Sequence, residues 1–190
     1  MIDQQRIFTI DQQSVVIEDF PAQGFILDIG GGGEGVIGQL KGPLVVAVDI
    51  IPNELTRSPV GPLKIIMDAR ELKFLDATFN TVTAFFAFMF IHPDDHARVF
   101  QEIFRVLTPG GQFMLWDIHI PHRPEPQKDM FVFPLQVILP TTVITTGYGT
   151  PYTEKIIDFE DYLLLAKKTR FRILKQNRVG QTFFCRAQKP

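Results

Sequence analysis

The chain of 190 residues contains little cysteine and little tryptophan, and it has no excess of charge of one sign. Its single cysteine, Cys185, excludes an internal disulfide framework and any metal site built from several cysteines. Lys and Arg number 19 and Asp and Glu number 21, so the formal net charge is −2. We therefore expect neither nucleic acid nor a membrane surface as the main partner. The hydrophobic share of 45% is typical of one folded domain.

Long hydrophobic runs are also missing. The longest covers residues 81–91, and eleven residues are too few to cross a bilayer as a helix. The first 24 residues do not show the basic and then apolar stretch of a signal peptide. We therefore predict a cytoplasmic protein.

Short apolar segments alternate with helical ones along most of the chain. The β-α-β alternation with short connections predicts an α/β fold with an open, mostly parallel sheet and helices on both faces. Predicted strands are 24–28, 44–49, 63–67, 81–91, 112–117, 171–177 and 181–187, and predicted helices are 36–40, 53–57, 93–107 and 159–169. The last two strands form a hairpin around residues 178–180.

One segment, residues 118–157, departs from this alternation because it holds six prolines among short β-prone runs. We interpret the chain as a single domain, 1–190, in which 118–157 is an insertion or lid over the substrate side of the sheet. If this segment is a lid, two phenylalanines in it, Phe131 and Phe133, are predicted to give the acceptor pocket an apolar wall.

A glycine-rich turn follows the first predicted strand, in F-I-L-D-I-G-G-G-G-E-G over residues 25–35. Glycines there let the backbone approach a ligand closely. Gly30, Gly32 and Gly35 also match the G-x-G-x-x-G spacing of dinucleotide sites, so the turn alone does not separate nucleotide ligands. Asp49 ends the next strand, 21 residues after Asp28, where a carboxylate can accept hydrogen bonds from both ribose hydroxyls.

Together these motifs resemble the class I S-adenosylmethionine-dependent methyltransferases. The resemblance covers residues 25–117: L-D-I-G-G-G, then A-V-D, then M-D-A-R-E-L-K-F, and finally a helix, a Pro-Gly-Gly turn and the strand Q-F-M-L. It implies a Rossmann-like, seven-stranded sheet with an antiparallel terminal strand, S-adenosyl-L-methionine as cofactor and a small-molecule acceptor.

The resemblance also implies a cofactor site at the ends of the first four strands. Its residues are Asp28, Gly30, Gly32, Asp49, Ile50, Asp68, Ala69, Ala84 and Phe85. Within this set Asp28 and the glycines would hold the methionine part, Asp49 the ribose and Asp68 the adenine edge. One departure from the family is Glu34, which stands where a third glycine is usual.

Candidates for acceptor chemistry follow the fifth strand in Asp117-x-His119-x-x-His122. His119 is the predicted general base, since a histidine titrates near neutral pH. A solvated loop histidine and a metal triad remain open, although we predict no metal because the residues lie in a proline-broken loop. The predicted substrate-binding residues are Trp116, His122, Tyr148 and Tyr152.

Two other functions compatible with these motifs remain open. One is a non-catalytic S-adenosylmethionine-binding regulatory or oligomeric protein, for which a homodimer is possible. The other is an NAD(P)-dependent reductase, although no clear Tyr-x-x-x-Lys pair supports it. The sequence contains no signature that identifies the methyl acceptor.

Overall fold

The computed structural model describes residues 4–153 and 158–190, which form two β-sheets flanked by short helices. The strands are β1 (Ile7–Thr9), β2 (Gln13–Val16), β3 (Ile26–Ile29), β4 (Val45–Asp49), β5 (Leu63–Ile66), β6 (Phe79–Phe85), β7 (Leu107–Ile118), β8 (Met130–Ile138), β9 (Val143–Pro151), β10 (Arg172–Val179) and β11 (Thr182–Gln188). The α-helices are α1 (Val36–Lys41), α2 (Pro52–Arg57), α3 (His96–Val106) and α4 (Phe159–Lys168), and 3-10 turns cover Gln4–Arg6, Gly42–Leu44, Phe88–Phe90 and Pro93–Asp95.

The main sheet has seven strands in the order β10-β11-β7-β6-β3-β4-β5. Strands β3 to β7 run parallel, and β11 is antiparallel to both of its neighbours. The predicted α/β architecture with a mostly parallel sheet and an antiparallel terminal strand is therefore confirmed.

Helices cover both faces of this sheet. The apolar side of α3 carries Val99, Phe100, Ile103 and Val106 at helical spacing and packs with α4 on one face. The other face is covered by α1, α2 and the second sheet. All four side chains of α3 are at most 1% exposed, so the sheet has an apolar core on each side.

The predicted fourth strand, 81–91, is too long. Strand β6 ends at Phe85, Phe86 has a φ of 48°, and Phe88–Phe90 is a 3-10 turn. Phe86, Phe88 and Phe90 therefore do not lie on the strand with Phe85. The apolar run continues past the strand because the turn is buried as well, and hydrophobicity reports burial rather than backbone conformation.

The second sheet joins the N-terminal residues to the predicted insertion. Strands β1 and β2 both pair in parallel with β8, β1 at residues 130–132 and β2 at residues 135–138, and β8 also pairs along its length with β9 as an antiparallel hairpin. The insertion is thus extended, as predicted, but β1 and β2 were not predicted. They are three and four residues long, and their partner strand lies more than 100 residues away along the chain.

Residues 154–157 of the predicted insertion lie outside the described residues, and its role as a lid stays a prediction. Phe131 and Phe133 of β8 are fully buried between the two sheets. Their predicted contribution to a pocket wall is therefore wrong, because both side chains face inward from β8 and pack in the core. Among the described residues no helix is long and apolar enough to cross a membrane.

Candidate active site

A cavity of about 600 Å³ opens at the carboxyl ends of β3, β4 and β6. Ligands of open parallel sheets bind at this edge, where the chain leaves neighbouring strands in different directions. The predicted site residues that line it are Gly30, Gly32, Asp49, Ile50, Asp68, Ala69, Phe85 and Tyr148. Residues from five separate parts of the sequence therefore meet in one place.

The glycine-rich turn forms one wall of this cavity and leaves no room for side chains. A Cβ atom on Gly30 would lie 2.6 Å from the Cβ of Ala87, and one on Gly32 would lie 2.7 Å from Oδ2 of Asp49. Gly30 also has a φ of 68°, which favours glycine. The turn therefore presents bare backbone to the cavity, as the approach of a ligand such as a nucleoside requires.

The end of β4 offers a carboxylate and an uncovered apolar side chain. Oδ1 of Asp49 accepts a hydrogen bond from the backbone N–H of Ile51 at 2.9 Å, which holds the side chain at the cavity wall. Ile50 is 58% exposed there. This pairing suits a ligand that has hydroxyl groups next to a flat apolar ring.

Beyond β5, an arginine that was not predicted holds Asp68. Arg70 donates from Nε to Oδ1 of Asp68 at 3.0 Å and from Nη2 to Oδ2 at 2.6 Å, and its Nη1 reaches Asp95 at 2.9 Å. The guanidinium keeps the pKa of Asp68 below its usual range. Asp68 is therefore fixed as a carboxylate acceptor at this end of the cavity, and the link to Asp95 ties it to the start of α3.

Asp28 and Ala84 lie behind the cavity wall rather than in it. Asp28 is 2% exposed and accepts a hydrogen bond from Thr83 Oγ1 at 2.7 Å. Burial raises the pKa of Asp28 to about 7, and the negative charge of Asp49 adds to the effect. Ala84 is fully buried beside Ile29 in the sheet. Both residues therefore pack behind the glycine turn, Asp28 next to Gly31 and Ala84 beside Ile29.

The loop after β6, residues 86–91, supplies another part of the cavity wall and abuts the glycine turn where Ala87 approaches Gly30. Its Phe86, Ala87, Phe90 and Ile91 line the cavity. The aromatic ring of Tyr148 on β9 lies 5.7 Å from that of Phe86 and 6.2 Å from that of Phe90, measured between ring centroids. This loop and β9 therefore build an aromatic wall.

Two buried side chains hold this loop from beneath. Asp117 accepts from the backbone N–H of Phe88 at 2.9 Å and from that of Ile118 at 2.8 Å, and it is fully buried. Nε2 of His96 lies 3.1 Å from the carbonyl oxygen of Phe88 and 3.0 Å from that of Ile91. Neither role was predicted from the sequence, because both contacts join residues from different elements.

The other predicted acceptor-side residues do not line the cavity. Trp116 is buried against Phe184, with ring centroids 4.8 Å apart, and Tyr152 packs near Phe131. His119 donates its backbone N–H to Gln181, and burial lowers the pKa of its imidazole. His122 is exposed. Catalytic or substrate roles for these four residues stay predictions without a contact to the cavity.

Metal binding finds no support in the described part of the chain. No group of three or more His, Cys, Asp or Glu side chains is arranged to hold an ion among residues 4–153 and 158–190. His119 and His122 in particular do not form part of such a group there.

Known proteins are similar to this chain in sequence and in fold. A family model described as a methyltransferase domain matches residues 27–115. A demethylmenaquinone methyltransferase from Deinococcus radiodurans is 31% identical over 152 residues, which are 68% of this chain and 60% of that protein. A sterol 4-C-methyltransferase from Caenorhabditis elegans is 32% identical over 106 residues, 48% of this chain and 30% of that protein. The chain thus spans less than two thirds of either relative.

Solved structures agree with the fold. An S-adenosylmethionine-dependent methyltransferase from Methanosarcina mazei superposes with a TM-score of 0.61 at 22% identity, covering 90% of this chain and 94% of that one. The family model matches the residues that carry the glycine turn, Asp49 and Asp68, and thus most of the residues that line the cavity, although Tyr148 and its two flanking glycines lie outside the match. Residues 27–115 thus match a methyltransferase-domain family, and the chain has the fold of S-adenosylmethionine-dependent methyltransferases, enzymes that use S-adenosyl-L-methionine as cofactor.

Proposed function

We propose that this chain transfers a methyl group from S-adenosylmethionine to a small-molecule acceptor. The observation that carries the proposal is the convergence of the glycine turn, Asp49 and Asp68 on one cavity at the carboxyl edge of the sheet. The turn would take the methionine part against bare backbone, Asp49 would accept from the ribose hydroxyls and Ile50 would cover the adenine. When bound, the cofactor supplies a methyl group on a positively charged sulfur.

The acceptor side of the proposal rests on the aromatic wall. Phe90 and Tyr148 present apolar ring surface in the same cavity as the cofactor residues, and the buried rings of Phe85 and Phe86 lie at the wall beside them. An apolar ring of the acceptor would pack against this wall and exclude water from it. Holding the acceptor in one orientation favours its in-line approach to the methyl group. The names of the two curated relatives, one for demethylmenaquinone and one for sterols, support an apolar ring compound as the acceptor.

Replacing Asp49 with Ala is expected to weaken binding of S-adenosylhomocysteine by about tenfold to a hundredfold. Hydrogen bonds to a charged group contribute about 1.5–3 kcal/mol, and the substitution removes both acceptor atoms. Isothermal titration calorimetry on the wild type and the variant measures the difference. Asp11→Ala, a change at an exposed aspartate outside the cavity, is the matched control and should bind as the wild type does.

If the wild type fails to bind S-adenosylhomocysteine at millimolar concentration, the proposed function is wrong. Release of S-adenosylhomocysteine when a reduced naphthoquinone is added would separate an enzyme from a protein that only binds the cofactor. Cytoplasmic location, a homodimer and the exclusion of nucleic acid stay predictions.

A further inference from the structure

The charges that line the main cavity do not balance. Its carboxylates are Glu34, Asp49, Glu54, Asp68 and Asp95, and its guanidinium groups are Arg57 and Arg70. Arg57 pairs with Glu54 at 3.3 Å, and Arg70 is shared between Asp68 and Asp95. Two carboxylates, Glu34 and Asp49, thus have no ion-pair partner among the described residues.

The proposed function gives a role to Asp49 but none to Glu34. The carboxylate of Glu34 is nonetheless held in place by two donors on β9. Thr146 Oγ1 donates to Oε1 at 2.6 Å, and the Tyr148 hydroxyl donates to Oε2 at 2.8 Å. Residues two apart on a strand point to the same face, so both donors reach the glycine turn together, while Gly147 and Gly149 leave space beside them.

Tyr148 remains a hydrogen-bond donor throughout the physiological pH range. Burial, together with the negative charge of Glu34, raises the pKa of its hydroxyl well above the usual value. A carboxylate that neutral donors hold at a cavity wall, and that has no ion-pair partner in the described ranges, is expected to bind a cationic group of a ligand.

We propose that Glu34 is the counter-charge for the α-ammonium group of the methyl donor, and that Thr146 and Tyr148 position its carboxylate for this contact. The inference rests on the proposed function, because it takes the amino acid part of the cofactor to lie against the glycine turn. Asp28 at the start of the turn is not available for the same task, since it is enclosed and bonded to Thr83. Glu34, which stands where the family usually has a third glycine, would thus bind the α-ammonium group of the methyl donor.

Two ligands that differ in the amino acid part test this assignment by calorimetry, without turnover. S-adenosylhomocysteine carries the α-ammonium group, whereas 5′-methylthioadenosine keeps the adenosine and the sulfur and lacks the amino acid. Glu34→Gln is expected to weaken the binding of S-adenosylhomocysteine about tenfold and the binding of 5′-methylthioadenosine less than about twofold. Only S-adenosylhomocysteine carries the positively charged ammonium group that would pair with Glu34.

The positioning role of β9 predicts a graded result. Tyr148→Phe removes one of the two hydrogen-bond donors to Glu34. It should weaken the binding of S-adenosylhomocysteine by a smaller factor than Glu34→Gln does, and should leave the binding of 5′-methylthioadenosine unchanged. Glu18→Gln makes the same chemical change at an exposed site outside the cavity and is the matched control. Thermal unfolding of each variant shows whether it has kept its fold.

The outcomes separate the two proposals. A wild-type protein that binds neither ligand contradicts the proposed function itself. A wild-type protein that binds both, with a Glu34→Gln variant that binds them as tightly or loses affinity for both equally, overturns only the assignment of Glu34.

Discussion

The Asp117→Ala variant is expected to lose about 3 kcal/mol or more of its free energy of unfolding at pH 5. The carboxyl group of Asp117 is fully buried and accepts hydrogen bonds from the backbone N–H groups of Phe88, Met89 and Ile118. Each buried donor left without an acceptor costs about 1–3 kcal/mol. Urea denaturation followed by circular dichroism measures the loss.

The pH of this experiment matters because burial raises the pKa of Asp117 to about 7. At pH 5 the carboxyl group is neutral, so removing it does not also relieve a buried charge. Asp117→Asn keeps an oxygen acceptor and should lose less. An Ala variant within about 0.5 kcal/mol of the wild type, the range of ordinary surface substitutions, would show that the loop does not depend on Asp117.

The same variant is expected to affect the site. Residues 86–91 are held by Asp117, by His96 and by Thr150, whose Oγ1 donates to the carbonyl oxygen of Met89 at 3.1 Å. Because this loop forms the part of the cavity wall beside the glycine turn, loss of the Asp117 hydrogen bonds should also weaken binding of S-adenosylhomocysteine at temperatures where the variant is still folded.

Between pH 4 and pH 7, the free energy of unfolding of an Asp28→Asn variant is expected to rise relative to that of the wild type by up to about 4 kcal/mol. A change of one pKa unit corresponds to about 1.4 kcal/mol. Asp28 has a pKa of about 7 in the fold instead of 3.8, because burial disfavours its charged form. A pKa raised by folding means that the stabilising contribution is complete below the unfolded value and is lost as the pH rises through the folded value. The wild type therefore loses stability over this range.

The variant does not share this loss, because its amide is neutral at every pH and its oxygen still accepts from Thr83. Other titrating groups, Asp117 among them, are present in both proteins and cancel in the difference. Urea denaturation at several pH values gives the comparison, and Asp11→Asn at an exposed site is the control expected to show no trend. A constant difference between the two proteins across the range would contradict an elevated pKa for Asp28.

Sequence reasoning succeeded where each element carries its own local signal. The strands β3, β4 and β5 and the helices α1 and α3 were predicted within a few residues, because short β-branched runs, glycine turns and helical apolar spacing are local patterns. It failed at the end of β6 and at β1 and β2. There the backbone conformation depends on distant partners, such as the carbonyl oxygen of Trp116, which accepts from the N–H of Phe86.

The site divides in a similar way. Seven of the nine residues predicted to bind the cofactor line the cavity, since the carboxyl ends of parallel strands share one edge of a sheet, and their binding role stays a prediction. Among the predicted acceptor-side residues Tyr148 reaches the cavity, whereas His119 does not. Residues 118–157 contain no recognisable motif, so the spacing of residues in the sequence could not predict which of their side chains line the cavity.

The scarcity of cysteine and the near balance of charge, together with the strand and glycine patterns, were enough to indicate the domain class and its cofactor. Those features are local or compositional, so they can be recognised without knowledge of the tertiary structure. The charge of the cavity is a different matter: a net charge of −2 over the whole chain says nothing of the five carboxylates and two guanidinium groups that gather at one edge of the sheet. Folding brings Glu34 to Tyr148 and Asp117 to Phe88 across 114 and 29 residues, and contacts at such separations arise from packing, which no local pattern encodes.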